Sequence, residues 1–196
     1  TGYSAENPLV LTLAHGLSET HTVHIAMTQF ADEVAEKTDG RIQVKIFPNG
    51  QLGSENENLE QLQAGVIAMT KVSAPGLATY NDAFNTFGLP YIFNDTDDFY
   101  HVMDSQEMQD FFLSTGDDGF VTLTYYTSGA RSFYTKDRAI RTPADLKGLK
   151  IRVQDMKSQT DMMSYLGGIP VAMSYGDVYT SLQTGIIDGT ENNETA

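Results

Sequence analysis

The sequence contains no cysteine, so neither disulfide bonds nor thiolate chemistry can contribute to its stability or its function. It has no apolar run near the roughly 18 residues that a membrane-spanning helix requires. Residues 1–7 are polar, whereas a secretory signal has a charged and then an apolar part. We therefore predict a soluble chain with no membrane insertion. If the protein is exported, its signal peptide is already absent from this sequence.

Positive charge is also scarce. The chain has 12 Lys and Arg residues against 26 Asp and Glu residues, which gives a formal net charge of −14. Nucleic acids and anionic membrane surfaces are bound by clustered Lys and Arg, so we predict neither as a partner. An acidic, solvated surface is the simplest interpretation of this composition, and adaptation to a salt-loving source is an alternative.

Motifs for catalysis and cofactor binding are missing as well. The sequence has no Ser-His-Asp or Cys-His nucleophile motif, no phosphate-binding glycine loop and no dinucleotide fingerprint. We therefore predict a non-catalytic protein with no bound cofactor, and the competing alternative is an enzyme that uses Asp, Glu or Tyr in its ligand-binding cleft. His21 and His24 are three residues apart on a predicted helix and could share a face. Because no third ligand completes a metal-binding pattern, we predict no metal site.

Strand and helix patterns alternate along most of the chain. This order is typical of parallel βαβ units, in which helices cover an open sheet. The predicted strands span 9–13, 41–47, 66–72, 120–126, 132–135, 149–153 and 186–190, and the predicted helices span about 23–39, 54–65, 97–114, 158–166 and 175–183. We therefore predict an α/β fold, and a crevice rather than a flat face as the place where a ligand binds.

The few arginines are concentrated in one part of the sequence. Four of the five fall between positions 131 and 152. The predicted strand at 149–153 alternates apolar and basic residues, and Arg152 lies near its carboxyl end. Ligands of open α/β sheets bind beside the carboxyl ends of the strands, which makes Arg152 a candidate for binding an anion. The alternative is a surface arginine on a half-exposed strand, and spacing alone does not separate the two interpretations.

Three segments of the chain carry a resemblance to a known family. Their sequences are SGAR at 128–131, TPADLKGLKIRV at 142–153 and YGDVYTSLQTGIIDGTEN at 175–192. In order and spacing they resemble the extracytoplasmic solute-binding subunit of tripartite ATP-independent periplasmic (TRAP) transporters. Two earlier segments, FPNGQLG at 47–53 and GLPY at 88–91, fit the same family, so the resemblance covers nearly the whole chain.

The resemblance implies a fold, a function and a location. The fold would be a two-lobed periplasmic binding protein with a cleft between its lobes. Residues 8–128 would form the first α/β lobe, and 129–196 would begin a second lobe that is incomplete relative to the family. The protein would be a periplasmic receptor that captures a small organic acid, closes around it, and delivers it to separate TRAP membrane permease subunits.

The resemblance also assigns roles to individual residues. Arg152 would form a two-pronged salt bridge with the ligand carboxylate, a geometry that a planar guanidinium matches and a lysine does not. Arg131 and Asn192 would assist at the same carboxylate, although Ala130 departs from the common form of the segment before Arg131. Tyr175 would pack over the ligand, or alternatively be a core aromatic at the start of a helix.

Further polar residues near the predicted crevice suggest the class of ligand. Gln154, Asn193, His15 and Ser73 could pair with hydroxyl groups, or be solvated loop residues. A C4-dicarboxylate needs a second cation, for which Lys71 is the only obvious candidate in the first lobe. A sugar acid needs neutral partners, because an unpaired buried hydroxyl costs about 1 to 3 kcal/mol. The doublet at 192–193 replaces the Asn-Pro of many dicarboxylate-type relatives, so we expect a uronate or related sugar acid, with a C4-dicarboxylate as the alternative.

Overall fold

The computed structural model describes residues 2–127 and 129–194. The chain divides into two compact units, 1–73 and 74–196, and each unit has its own sheet. The predicted α/β fold class is confirmed. The division between the units comes earlier in the chain than the predicted boundary between lobes. Because Ser128 at that boundary lies outside the described residues, the assignment of 8–128 and 129–196 to two lobes stays a prediction.

The first unit is a parallel three-stranded sheet with two helices. The strands are ordered β2-β1-β3, and β1 pairs with β2 over its whole length. The sheet and α1 enclose a core in which Leu13, Val23 and Met27 are buried. The elements are β1 (Leu9–Ala14), α1 (Thr22–Lys37), β2 (Ile42–Phe47), α2 (Glu55–Gln63) and β3 (Met69–Thr70).

Local signals explain where most elements of this unit begin and end. The predicted capping box at the start of α2 is present, since the side chains of Ser54 and Glu57 bond to each other's backbone N–H groups. The predicted strand at 66–72 is reduced to the two residues of β3. The backbone N–H groups of Val66 and Ile67 both bond to the carbonyl oxygen of Gln61, so they close the end of α2 and cannot pair with β1.

The second unit contains a mixed four-stranded sheet. The strands are ordered β4-β7-β5-β6, with β5 parallel to both β6 and β7, and with β4 antiparallel to β7. Two 3-10 turns at 74–79 and 82–88 precede its first helix. The elements are α3 (Thr96–Met103), α4 (Gln106–Ser114), β4 (Ser132–Thr135), β5 (Lys150–Val153), α5 (Lys157–Tyr165), β6 (Ile169–Ala172), α6 (Val178–Thr184) and β7 (Gly189–Asn192).

Three sequence predictions fail in the second unit, and one of its strands was not predicted. The helix at 97–114 is two helices, because Ser105 caps the start of α4 by accepting from the N–H of Met108. The stretch 120–126 forms no strand within the described residues, and Leu123 is 67% exposed there. Strand β6 was not predicted, since its four residues are few and include Pro170. Strand β7 begins at 189 rather than 186, because the N–H groups of residues 186 and 187 bond back to α6.

The core of the second unit lies on one face of β5. Leu146, Ile151, Val153 and Met163 are almost fully buried there, and each such side chain contributes about 1.5 to 3 kcal/mol by leaving water. Gly189 allows β7 to approach β4 closely, since a Cβ at position 189 would collide with the backbone carbonyl oxygen of Tyr134.

Within the described residues, no helix combines the length and the apolar character needed to cross a membrane.

Candidate functional site

Arg152 is buried in the four-stranded sheet. It is the third of the four residues of β5, in register with Val171 of β6 and Thr190 of β7, and only 4% of it is exposed. Its Nε donates a hydrogen bond to the carbonyl oxygen of Met173 at 3.0 Å, just beyond β6. The interpretation of Arg152 as a surface arginine is therefore wrong. A buried guanidinium whose orientation is fixed can recognise a planar anion such as a carboxylate.

The strand directions bring the predicted residues of this unit to one edge of the sheet. Strands β5, β6 and β7 are parallel, so their carboxyl ends share an edge, and the antiparallel β4 begins at that same edge. Arg131 precedes β4, Arg152 and Gln154 lie at the end of β5, Tyr175 follows β6, and Asn192 ends β7. This is the edge at which open α/β sheets bind ligands.

Arg131 forms a two-pronged salt bridge with Glu191 of β7. Its Nε lies 2.5 Å from Oε2 of the carboxylate, its Nη2 lies 2.9 Å from Oε1, and Nη2 also donates to the Glu191 backbone oxygen at 3.1 Å. Glu191 is 3% exposed, whereas about a third of the Arg131 side chain, 34%, reaches solvent. The pair compensates the buried carboxylate and orients the guanidinium. Glu191 was not predicted as a site residue, because its partner Arg131 lies 60 residues away in the sequence.

The other predicted residues of this unit differ in exposure. Asn192 accepts from the backbone N–H of Asn193 through its Oδ1 at 2.9 Å, and Asn193 is buried. Gln154 is half-buried. Tyr175 is 44% exposed in a 3-10 turn at 175–177, so it is not the core aromatic that the alternative interpretation required. The roles of these residues in ligand binding stay predictions.

His15 lies at the carboxyl edge of the first sheet, directly after β1. Its ring is buried, and its Nδ1 accepts from the N–H of Leu17 at 3.1 Å. The proton must then be on Nε2, which donates to Nδ1 of His24 at 3.0 Å. Burial, followed by the charges of His24, Lys71 and His21, lowers the pKa of His15 from 6.5 to about 4. His15 is thus neutral at pH 7, and both of its nitrogens are used within the protein.

Lys71 and Ser73 follow β3 at the same edge, and both contact Glu55. The Lys71 ammonium lies 3.1 Å from Oε1 of Glu55. Ser73 donates its backbone N–H to Oε2 at 3.0 Å and its hydroxyl to Oε1 at 3.3 Å. Lys71, the candidate cation for a second carboxylate, is therefore already paired. Glu55 was not predicted as a site residue, because its partners lie 16 and 18 residues away in the sequence.

The two histidines considered as metal ligands are engaged elsewhere. His21 caps α1 by accepting from the N–H of Val23 through Nδ1 at 3.1 Å, and His24 accepts from His15. Among residues 2–127 and 129–194, no three His, Cys, Asp or Glu side chains are grouped so that they could hold a metal ion.

Comparisons with known proteins agree on one family. The pattern of the family described as bacterial extracellular solute-binding protein, family 7, matches residues 13–196. The chain is 33% identical over 190 residues to the C4-dicarboxylate-binding periplasmic protein DctP of Rhodobacter capsulatus, and the match covers 94% of this chain and 56% of that protein. The chain spans about half the length of the curated relatives it matches.

Two solved structures are similar over most of the chain. A TRAP periplasmic solute-binding protein of Anaerococcus prevotii, with bound D-glucuronate, has a TM-score of 0.91 and 39% identity, with coverage of 95% of this chain and 61% of that chain. A TRAP periplasmic solute-binding protein of Xanthobacter autotrophicus, with bound β-D-galacturonate, has a TM-score of 0.90 and 36% identity, with coverage of 93% and 61%.

Proposed function

The chain belongs to the bacterial extracellular solute-binding protein family 7, and from this premise we propose that it is the solute receptor of a TRAP transporter. In this proposal it captures a sugar acid outside the cytoplasm, with a uronate as the favoured ligand, and delivers it to membrane permease subunits. The family and its solved structures are solute-binding proteins rather than enzymes, so the receptor would release its ligand chemically unchanged.

The observation that carries this proposal is the buried Arg152 at the carboxyl edge of the second sheet. A guanidinium held in this way loses little side-chain freedom when it binds a carboxylate through two parallel hydrogen bonds. We propose that Arg131, oriented by Glu191, and Asn192 assist at the same carboxylate. Tyr175 is proposed to pack over the ligand.

The remaining proposed contacts serve the hydroxyl groups of the ligand. They are uncharged groups that can donate or accept hydrogen bonds. Such groups suit a ligand with many hydroxyls, because each buried hydroxyl needs a hydrogen-bond partner. The residues proposed for this role are Gln154 and Asn193 of the second unit and Ser73 of the first. His15 is not included, because its buried ring uses both nitrogens within the protein.

A sugar acid is favoured over a C4-dicarboxylate by two observations. Solved structures of similar proteins contain glucuronate and galacturonate. In addition, Lys71, the cation that a second carboxylate would need, is paired with Glu55. The dicarboxylate alternative is supported by the similarity to the Rhodobacter capsulatus protein.

Ligand binding by the purified protein tests the proposal. Thermal unfolding is measured with glucuronate, galacturonate, succinate and malate, because a ligand that binds only the folded state raises the melting temperature. We expect the two uronates to stabilise the protein more than the two dicarboxylates do. Stabilisation by the dicarboxylates alone would contradict the choice of sugar acid, and conversion of a bound acid into a product would contradict the receptor function.

Two substitutions of Arg152 test the site. Arg152→Ala should weaken uronate binding by more than about 3 kcal/mol, since the ligand carboxylate then lacks its buried partner. Arg152→Lys should restore binding only in part, because the two parallel hydrogen bonds are lost. Arg141→Ala is the matched control, as Arg141 is an exposed arginine of the same unit. Equal affinities of Arg152→Ala and this control would show that the carboxylate binds elsewhere.

A further inference from the structure

The guanidinium of Arg152 is oriented by the backbone that follows β6. Arg152 lies in register with Val171 of β6, but its Nε donates to the carbonyl oxygen of Met173, two residues further along the chain. The side chain therefore leans along β6 toward the carboxyl edge of the sheet. Only 4% of Arg152 is exposed, so a ligand at this edge would meet the end of the side chain rather than its length.

The carbonyl group of Met173 is itself held in place. The N–H of Met173 donates to the carbonyl oxygen of Val153 at 3.3 Å, which extends the pairing of β5 and β6 by one step. The N–H of Asp177 donates to the next carbonyl oxygen, that of Ser174, and closes the 3-10 turn at 175–177. The acceptor of the guanidinium Nε–H is therefore fixed by backbone hydrogen bonds on both sides, and it does not depend on the Met173 side chain.

A guanidinium can bind a carboxylate through two parallel hydrogen bonds in two ways. The side-on mode uses Nε and one Nη atom, and the end-on mode uses both Nη atoms. Nε carries a single hydrogen, and Arg152 donates it to Met173. The two Nη atoms carry four hydrogens, of which the end-on mode needs two. The backbone of the protein thus occupies the side-on mode at Arg152 and is compatible with the end-on mode.

Arg131 is oriented in the opposite sense. Its Nε and Nη2 bind the Glu191 carboxylate side-on, and Nη2 also donates to the Glu191 backbone oxygen. Nε has one hydrogen and Nη2 has two, so the three acceptor atoms of Glu191 use all three. A ligand would meet Arg131 through Nη1, which gives a contact with one nitrogen rather than a two-pronged contact.

We propose that Met173 is a positioning residue, whose backbone carbonyl orients Arg152 so that the ligand carboxylate binds end-on to Nη1 and Nη2. Arg152 is then the two-pronged anchor, and Arg131 adds its Nη1. The inference rests on the proposed function, since it concerns the carboxylate of the same ligand, and it adds the binding mode and the residue that sets it. Because the guanidinium is already ordered, less side-chain freedom is lost when the ligand binds.

Nitrogen-15 NMR of the arginine side chains measures the binding mode. Spectra of the wild type are recorded with and without D-glucuronate, and the Arg152 signals are identified by their absence from Arg152→Lys. We expect both Nη signals of Arg152 to shift and sharpen with ligand, because two parallel hydrogen bonds stop rotation about the Cζ–Nη bonds. The Nε signal should change less than either, since its acceptor stays the same. At Arg131, the response should be largest at Nη1.

Two substitutions at position 173 test the positioning role. Met173→Ala keeps the backbone carbonyl, so its affinity for glucuronate should stay within about threefold of wild type. Met173→Pro removes the N–H that bonds to Val153 and displaces the carbonyl, so we expect the affinity to fall about tenfold or more. The Nε signal of Arg152 should also move in this variant without ligand, which a general loss of stability would not produce. Melting temperatures establish that both variants are folded before titration calorimetry measures their affinities.

The outcomes separate this inference from the proposed function. If glucuronate binds and shifts the Arg152 Nε with only one Nη, or shifts none of these signals, the inference is wrong, although the receptor function stands. Equal affinities of folded Met173→Ala and Met173→Pro also overturn it. A folded wild type that binds none of glucuronate, galacturonate, succinate and malate refutes both. A response of both Nη atoms, together with weaker binding by Met173→Pro than by Met173→Ala, supports the inference.

Discussion

Lowering the pH should destabilise this protein through one buried side chain, His15. Its Nδ1 accepts the N–H of Leu17 and its Nε2 donates to His24, so a second ring proton would turn an acceptor into a donor that faces another donor. The folded protein lowers the pKa of His15 to about 4, whereas an unfolded chain returns it to 6.5. The unfolded state therefore binds the proton more readily, and stability decreases as pH falls from about 6.5 to about 4. Above this window the contribution of His15 is constant.

The size of the effect follows from the two pKa values. A difference of one pKa unit corresponds to about 1.4 kcal/mol, so the change from 6.5 to about 4 sets an upper limit of about 3 kcal/mol. His15 lies at the edge of a sheet, where water can approach its neighbours and reduce the penalty for a charge. We therefore expect about 1 to 2 kcal/mol of the free energy of unfolding to be lost through His15 between pH 7 and pH 4.

Urea unfolding of the wild type and of His15→Asn measures this contribution. An asparagine oxygen can accept from the N–H of Leu17 and does not titrate, so the difference between the two proteins isolates the ring. The 26 acidic residues titrate in both proteins, and their effects cancel in the difference. We expect the wild type to lose its advantage over the variant as the pH falls. If the free energies of unfolding of the wild type and of His15→Asn change in parallel between pH 7 and pH 4, His15 does not contribute to the pH dependence. An NMR titration that gives His15 a pKa near 6.5 would contradict the prediction as well.

Two further predictions concern the second unit. Gly189→Ala should lower the free energy of unfolding by about 2 to 3 kcal/mol, because the new Cβ collides with a backbone carbonyl of β4. Gly176→Ala is the control. Its new Cβ would have no atom within 4 Å, so the free energy of unfolding should change by less than about 0.5 kcal/mol. Equal chemical denaturation midpoints for the two variants would contradict the close packing. Glu191→Gln should cost about 1 to 3 kcal/mol, since it removes the charged partner of Arg131 at a buried position. The same change at the exposed Glu33 should leave the melting temperature unaltered, and an equal loss at both sites would show that burial is irrelevant.

Elements whose signals are local were predictable from the sequence. The 3.6-residue period of α1, the alternation in β2 and β5, and the capping box at Ser54 each depend on neighbours within a few residues. The structure contains all of them close to the predicted bounds. The resemblance to the solute-binding family is confirmed for a related reason, since its motifs are short segments at a definite spacing.

Strand ends were less predictable, because they depend on competition for backbone hydrogen bonds. Residues 66–67 and 186–187 have apolar side chains typical of strands, but their N–H groups close the ends of α2 and α6. The stretch 120–126 alternates as a strand should, yet none of its described residues pairs in a sheet. Alternation indicates which face a side chain would take, and it does not provide a partner strand.

For the candidate site, the sequence determined the residue types and their order along the chain. It placed Arg152 near the end of a strand and Arg131 and Asn192 in recognisable segments. Only the tertiary structure decided that Arg152 is buried, because this depends on the strand order β4-β7-β5-β6. It also decided which charges are paired. Arg131 meets Glu191 across 60 residues and Lys71 meets Glu55 across 16, and such partners are chosen by how the strands and helices pack, which no local pattern encodes.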